Sequence, residues 1–140
     1  MDETAADLAD AVLALAQHLE MRGPASGHAV QLTHTEITVI REIHREPGAT
    51  ATRLAAMTGL QRSNVSAVAH ALEERDLLER VSPPSGGRGV GFAPSDLAHE
   101  NYARLRAHWA DLLHGAPPEV LAAAAEAGPA LAALSRSLRR

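Results

Sequence analysis

Apolar residues recur at intervals of three or four along much of the chain, a spacing that predicts amphipathic helices. The first predicted helix covers residues 7–21, and its apolar stripe consists of Leu8, Val12, Leu15 and Leu19. A glycine- and proline-containing break follows at residues 23–27. The second predicted helix starts with the capping-box pattern of Thr33 and Glu36 and ends before Pro47-Gly48. Its buried face is expected to contain Ile37, Ile40 and Ile43.

Two helices joined by a tight turn follow, at the spacing of a helix-turn-helix. Thr50 is the predicted N-cap of a helix over residues 51–57, whose inward positions are Leu54 and Ala55. The connection Thr58-Gly59-Leu60 leads to a helix over residues 61–75, with an apolar stripe of Val65, Val68 and Leu72. This spacing is shared by many helical hairpins, so the segment that follows it decides the interpretation.

That segment predicts a β-hairpin. Residues 77–81 and 90–92 are expected to form two short strands, and the Gly-, Pro- and Ser-rich loop between them carries one charge, Arg88. A helix-turn-helix followed by such a hairpin is a winged helix. The predicted fold is therefore mostly α with a small β-hairpin wing: a winged helix-turn-helix plus a helical dimerisation region.

The carboxyl-terminal part predicts further helices. Ser95 is expected to cap a helix over residues 96–114, and Pro117-Pro118 to open an alanine-rich segment that Gly128-Pro129 interrupts. The terminal helices are more apolar than one small winged helix can cover. This favours a homodimer, although a monomer with a folded-back tail is the alternative. The predicted division is a dimerisation helix and linker (1–32), a winged helix-turn-helix (33–94) and dimerisation helices (95–140).

Composition and charge narrow the possible functions. The chain has no cysteine, which removes disulfides and thiolate metal sites. No apolar run is long enough to span a bilayer and no signal peptide is visible, so we expect a cytoplasmic protein without a membrane partner. The net charge of −4 argues mildly against nucleic acid. Residues 45–88, however, carry six Arg against five acidic residues, which leaves room for a DNA-binding surface.

Over nearly its whole length the chain resembles the MarR family of bacterial transcriptional regulators. The matching positions are Leu32-Thr33, Pro47-Gly48-Ala49-Thr50, Leu54-Ala55, Val65-Ser66, Leu72-Glu73 and Leu77-Leu78-Glu79-Arg80. The chain departs from the family at several positions: Gly86 replaces the Asp that steadies the wing, Asp76 replaces a Gly, and Ala67 replaces a common basic residue. The family's Leu-Thr-x-x-Gly entry to the fifth helix is replaced by residues 92–96. The resemblance implies a homodimer that holds two recognition helices about one DNA turn apart on a pseudo-palindromic operator.

Hydrogen-bonding side chains lie along the amino-terminal half of the predicted recognition helix: Gln61, Arg62, Ser63, Asn64 and Ser66. Arg62 suits a guanine edge, while Gln61 or Asn64 suits an adenine edge. The two serines suit phosphate oxygens, which position a protein without specifying sequence. The alternative interpretation is a polar, solvated helix face.

Three further arginines are candidate DNA contacts. Arg88 at the wing tip is expected to enter the minor groove, and Arg53 and Arg80 to contact backbone phosphates. Arg88 is otherwise a solubilising loop charge, and Arg80 otherwise forms an ion pair with Glu79 or another nearby acid.

An effector site is suggested mainly by the resemblance, because small aromatic acids often bind between the dimer helices and winged domains of this family. The candidate residues are His18, Tyr102, Arg106 and Trp109. The alternatives are a core role for Trp109 and a surface charge for Arg106. Among the eight His residues, His34 with His44 or His99 with His108 could converge only through the fold, so no metal or cofactor is predicted.

The predicted function is a sequence-specific DNA-binding transcriptional regulator, a repressor that a small-molecule ligand could release from DNA. An enzyme is not expected, because Ser66 and His70 lie four residues apart without an orienting acid. The acidic total and the missing wing Asp leave a second alternative. In that alternative, the protein is a winged-helix dimer that binds protein, as an adaptor or antirepressor with weak DNA affinity.

Overall fold

The computed structural model describes residues 2–21 and 30–138. The elements of this part are six helices and three short strands, in the order α1 (Glu3–Met21), α2 (His34–Arg45), β1 (Ala49–Thr50), α3 (Ala51–Thr58), α4 (Arg62–Glu74), β2 (Leu78–Val81), β3 (Gly91–Pro94), α5 (Asp96–Leu113) and α6 (Pro118–Ser137). The mostly α winged fold predicted from the sequence is confirmed. The break predicted at residues 23–27 lies outside the described residues.

The hydrophobic core lies within the winged helix-turn-helix, where α2, α3 and α4 pack together against the sheet. Its fully buried side chains include Val39 and Ile43 of α2, Leu54 of α3, and Val65 and Leu72 of α4. Burying an aliphatic side chain of this size stabilises the fold by about 1.5–3 kcal/mol. The helical stripes predicted for α3 and α4 therefore face the core, although Ile37 of α2 is only half-buried.

A capping box starts α2, as predicted. The Thr33 hydroxyl accepts the Glu36 N–H at 3.2 Å, and the Thr33 N–H donates to Glu36 Oε2 at 2.8 Å. Arg75, just beyond α4, donates to the same carboxylate at 3.1 Å and to the Gln31 carbonyl. One arginine thus ties the end of the recognition helix to the beginning of α2.

The wing is a three-stranded antiparallel sheet of order β1-β3-β2. Phe92 occupies its centre, opposite Arg80 on one side and Ala49 on the other. Strand β1 was not predicted, because two residues cannot show an alternating pattern. The strand boundaries also differ from the prediction: β2 begins at Leu78, and Val90 is exposed before β3.

Ser95 caps α5 as predicted, and it also joins this helix to the winged domain. Its hydroxyl accepts the Ala98 N–H at 3.1 Å and donates to the Asp76 carbonyl at 2.6 Å. Asp76 has a left-handed backbone, with φ +58°, at a position where a glycine was expected. An aspartate tolerates this conformation better than most side chains do.

The break predicted at Gly128-Pro129 is wrong. Helix α6 continues through these residues, with Pro129 in its interior. A proline removes one backbone hydrogen bond and usually kinks a helix, but the surrounding alanines have the strongest intrinsic preference for helix. The segment is thus one helix of 20 residues.

Helices α1 and α6 leave apolar side chains uncovered. No described residue of either helix is buried. The exposed fractions are 43% for Leu8 and 47% for Leu15 on α1, and 55% for Val120 and 43% for Leu134 on α6. Over residues 2–21 and 30–138, the structure has no helix of the length and apolarity needed to cross a bilayer.

Candidate nucleic-acid interface

The recognition helix α4 has two distinct faces. Val65, Ala69 and Leu72 are buried against the core, as the helical period requires. The predicted base-reading and phosphate-contacting residues are all exposed: Gln61, Arg62, Ser63, Asn64 and Ser66. Gln61 occupies the N-cap position without forming a side-chain cap hydrogen bond, so its amide is not used to hold the helix end.

A groove of about 440 Å³ lies between α4, the beginning of α3 and the wing. Its lining brings together four of the predicted residues: Arg62, Ser66, Arg80 and Arg88. These side chains come from α4, β2 and the loop between β2 and β3, so only the folded wing gathers them. The described residues that line the groove include three arginines and no carboxylate. We call this surface the arginine groove.

Three further polar residues in the arginine groove were not singled out for DNA, and one of them, Thr50, is the N-cap of α3. Thr52 lies in the first turn of α3, and His70 lies one helical turn after Ser66 on the exposed face of α4. The spacing of Ser66 and His70 could have indicated this shared face. His70 Nε2 lies 3.5 Å from Glu74 Oε1, so a protonated His70 would be partly balanced by that acid.

Two of the predicted phosphate contacts are already engaged in ion pairs. Arg53 Nε lies 2.9 Å from Glu46 Oε2, and Arg80 Nε lies 2.7 Å from Glu73 Oε2. Arg53 also lies outside the lining of the arginine groove. Glu73, and not Glu79, is the acid that pairs with Arg80.

Arg62 and Arg88 form no ion pair with any residue that the structure describes. Both line the arginine groove. Arg88 is exposed in the loop between β2 and β3, and Gly89, its neighbour, has φ +130°. These two guanidinium groups are therefore open to an anionic partner.

A second cluster of aromatic and basic side chains lies where α2 meets α5. The rings of His44 and Tyr102 stack with centroids 4.4 Å apart, and the His99 ring approaches His44 edge-on at 4.9 Å. Arg106 lies over the Tyr102 ring at 5.9 Å. Two of the four predicted effector residues, Tyr102 and Arg106, thus lie together with two histidines that were not assigned to that site. We call this group the His44 cluster.

The other two effector candidates are placed elsewhere. His18 is exposed on α1, and Trp109 is half-buried two turns beyond Tyr102 on α5. Neither takes part in the ring contacts observed among the described residues.

The environment of His44 favours its neutral form. Burial lowers the pKa of His44 below 6.5, and the neighbouring His99 lowers it further. A hydrogen bond with the Ala98 backbone opposes this shift in part. His44 contacts His99, whereas His34 Nδ1 lies 2.9 Å from Glu20 Oε1, so His34 and His44 have different partners. Over residues 2–21 and 30–138, no three possible ligand side chains gather into a metal site.

Comparison with known proteins supports the same fold. The model of the MarR family matches residues 30–89, which include α2 to α4, β2 and Arg88. A search of curated proteins found no significant match.

Solved structures resemble the chain over nearly its whole length. A protein from Pseudomonas aeruginosa, described as a transcriptional regulator, is 26% identical with a TM-score of 0.72, covering 96% of this chain and 94% of its own. A MarR family protein from Bacillus stearothermophilus is 18% identical with a TM-score of 0.68, covering 100% and 99%. The PcaV transcriptional regulator from Streptomyces coelicolor, solved with its natural ligand, is 20% identical with a TM-score of 0.52, covering 92% and 89%.

The family match and the structural resemblances agree with the observed winged helix-turn-helix and its flanking helices. The chain therefore has the fold of these solved structures, and its residues 30–89 match the model of the MarR family.

Proposed function

We propose that the chain is a sequence-specific DNA-binding transcriptional regulator that acts as a homodimeric repressor. The observation that carries the proposal is the arginine groove, in which Arg62 of the recognition helix, Arg80 and the wing residue Arg88 line one concave surface. Such an arrangement suits a duplex whose major groove receives α4 and whose minor groove receives the wing. The predicted contacts at Gln61, Ser63 and Asn64 extend it along the exposed face of α4.

Dimerisation is proposed from the uncovered apolar faces of α1 and α6. We assign dimerisation to residues 1–32 and 95–140, which flank the winged domain at 33–94. Covering a leucine as exposed as Leu15 or Leu134 removes apolar area from water, which is worth about 25 cal/mol for each Å². Light scattering after size exclusion should give twice the chain mass of 14.7 kDa. A monomer that persists at high concentration would contradict this assignment.

DNA binding is tested by fluorescence anisotropy on DNA from the region upstream of the protein's own gene, over a salt series and against scrambled competitor. We expect sequence-selective binding by two protomers to one site. The affinity should fall steeply with salt, because each neutralised phosphate releases counterions. Each such contact adds about 0.9 to the slope of log affinity against log salt concentration.

Variants of single arginines distinguish a residue that reads the base sequence from one that contributes to binding on any sequence. Arg62→Ala should reduce discrimination between the cognate and a mismatched site by about 1–3 kcal/mol, as expected for a base contact. Arg88→Ala should weaken binding to all sequences and reduce the salt dependence. Arg104→Ala is the matched control, because this exposed arginine of α5 lies outside the arginine groove and 3.6 Å from Glu100.

The competing function is a dimer that binds protein. Its support is the net charge of −4 and the ion pairs that engage Arg53 and Arg80. Weak and unselective DNA binding by the parent, unchanged in Arg62→Ala and Arg88→Ala, would favour the protein-binding dimer over a sequence-specific DNA-binding protein.

We also propose that a small aromatic acid releases the protein from DNA by binding at the His44 cluster. Tyr102 offers a stacking surface there, and Arg106 offers a positive charge for a carboxylate. PcaV, a structural relative, was solved with its natural ligand. A panel of substituted benzoates should weaken DNA binding by the parent and not by Arg106→Ala. Equal responses of the two proteins would contradict this site.

A further inference from the structure

The loop between β2 and β3 packs against the turn between α2 and β1. Pro83 is buried, and the ring of Pro84 lies on Gly48, in the turn between α2 and β1. A Cβ atom placed on Gly48 would lie 2.7 Å from Pro84 Cδ and 2.8 Å from Pro84 Cγ. The proline ring therefore fills the space that a side chain at residue 48 would need.

Gly48 is itself held firmly by the sheet. Its N–H donates to the Phe92 carbonyl at 2.8 Å, and its φ of +91° lies in the left-handed region that favours glycine. The backbones of Gly48 and Gly91 approach so closely that a Cβ on Gly91 would collide with the Gly48 carbonyl. The hydrogen bond to Phe92 and the close approach of Gly91 thus hold Gly48 in place where Pro84 contacts it.

A turn connects this contact to Arg88. The Gly86 N–H donates to the Pro83 carbonyl at 3.0 Å, and Gly86 has φ +68°. Pro84 is the second residue of the turn, a position where the fixed φ of proline is favoured. Arg88 follows two residues after the turn, so the orientation of the turn sets the direction in which the wing tip leaves the sheet.

We propose that Pro84 is a positioning residue for Arg88, acting through its packing on Gly48. This inference rests on the proposed DNA-binding function. The ring restrains the loop before DNA arrives, so less conformational freedom is lost when Arg88 enters the duplex.

The test compares Pro84→Ala with Ser85→Ala in the full chain. Ser85 is an exposed neighbour in the same turn, and its hydroxyl lies beside Gly87. Pro84→Ala should weaken binding to the parent's cognate DNA by about 2- to 10-fold, the range expected when a fixed segment becomes flexible. Ser85→Ala should bind like the parent and keep its thermal midpoint. Pro84→Ala should lower the midpoint only slightly, because the unfolded chain gains freedom while residues 84 and 85 lie outside the core.

The same substitution in an Arg88→Ala background shows whether Pro84 acts through Arg88. There, Pro84→Ala should cause no further loss of affinity, because no tip side chain is left to position. An equal loss in both backgrounds would overturn the proposal, since a merely structural role for Pro84 would weaken binding whether or not Arg88 is present.

A measurement without DNA follows the restraint directly. Backbone ¹⁵N order parameters of residues 86–89 should fall in Pro84→Ala toward about 0.6 or below, and stay higher in the parent and in Ser85→Ala. Unchanged order parameters would overturn the proposal.

A parent that binds no DNA would refute the proposed function, and the inference with it. A parent that binds DNA together with an unaffected Pro84→Ala would refute the positioning role alone.

Discussion

Replacing Glu73 with Gln is expected to tighten DNA binding, although the substitution removes an ion pair. Glu73 Oε2 accepts a hydrogen bond from Arg80 Nε at 2.7 Å and so joins the last turn of α4 to β2. The Arg80 side chain is 56% exposed, and it lines the arginine groove. A DNA phosphate that approaches Arg80 must therefore compete with the Glu73 carboxylate.

The strength of this pair sets the size of the effect. Exposed ion pairs contribute about 0.2–1 kcal/mol, because water screens both charges. If DNA binding breaks the pair, the same free energy is lost from binding, which corresponds to about a 1.4- to 5-fold weaker Kd. Glu73→Gln keeps the shape of the side chain and removes this competition. The Kd should tighten within that range, while the salt slope stays close to that of the parent, because Arg80 reaches the phosphate in both proteins.

The assay is anisotropy on the cognate DNA over a salt series, with two matched controls. Glu79→Gln removes the same charge beside Arg80 in β2, and Glu74→Gln removes it from α4 beside His70. Equal tightening by all three variants would show that only net charge matters. Binding by Glu73→Gln that equals or falls below that of the parent would refute the reasoning, since Arg80 would then gain nothing from losing its partner.

Two predictions concern the framework. Arg75→Ala should lower the free energy of unfolding by about 1–3 kcal/mol in urea titrations, because Glu36, only 13% exposed, loses its charged partner; Arg53→Ala, which breaks an exposed pair, should cost less, and equal costs would contradict the role assigned to Arg75. The lowered pKa of His44 means that the unfolded chain binds a proton at a higher pH than the folded chain does. Stability should therefore fall as the pH drops from above 6.5 toward the folded pKa and change no further below it, and His44→Phe should remove this part of the pH dependence; an identical pH profile for the variant would contradict it.

The features that sequence predicts correctly here are formed between neighbours in the chain. Thr33 and Glu36 lie three residues apart, and Thr50 and Ser95 each immediately precede the helix that they cap. Strand β1 is different, because Ala49 and Thr50 form a strand only through pairing with β3. The continuity of α6 through Pro129 was also missed, since a proline signals a break wherever it occurs and its neighbours decide whether the helix survives.

In the candidate interface, too, some features follow from the local sequence and others arise only from the fold. The exposed face of α4 follows from helical periodicity, which places Arg62 and Ser66 opposite the buried stripe. The partners of Arg80 and His44 could not be predicted, because each contact joins different elements of the fold. Several acids lie near Arg80 in sequence, and only the packing of β2 beside α4 selects Glu73.

The arginine groove is what makes the proposed DNA binding compatible with a net charge of −4. Charges more than about 8–10 Å from a phosphate are largely screened at physiological salt, so the local composition of the groove matters more than the total. Arg62, Arg80 and Arg88 come from α4, β2 and the wing loop, and Phe92 at the centre of the sheet lines the groove that they share. The positive surface therefore exists only while the wing is packed against α4. Under the proposed function, DNA affinity therefore depends also on residues that hold the wing without touching the duplex, because a loosened wing disperses the charges without removing any of them.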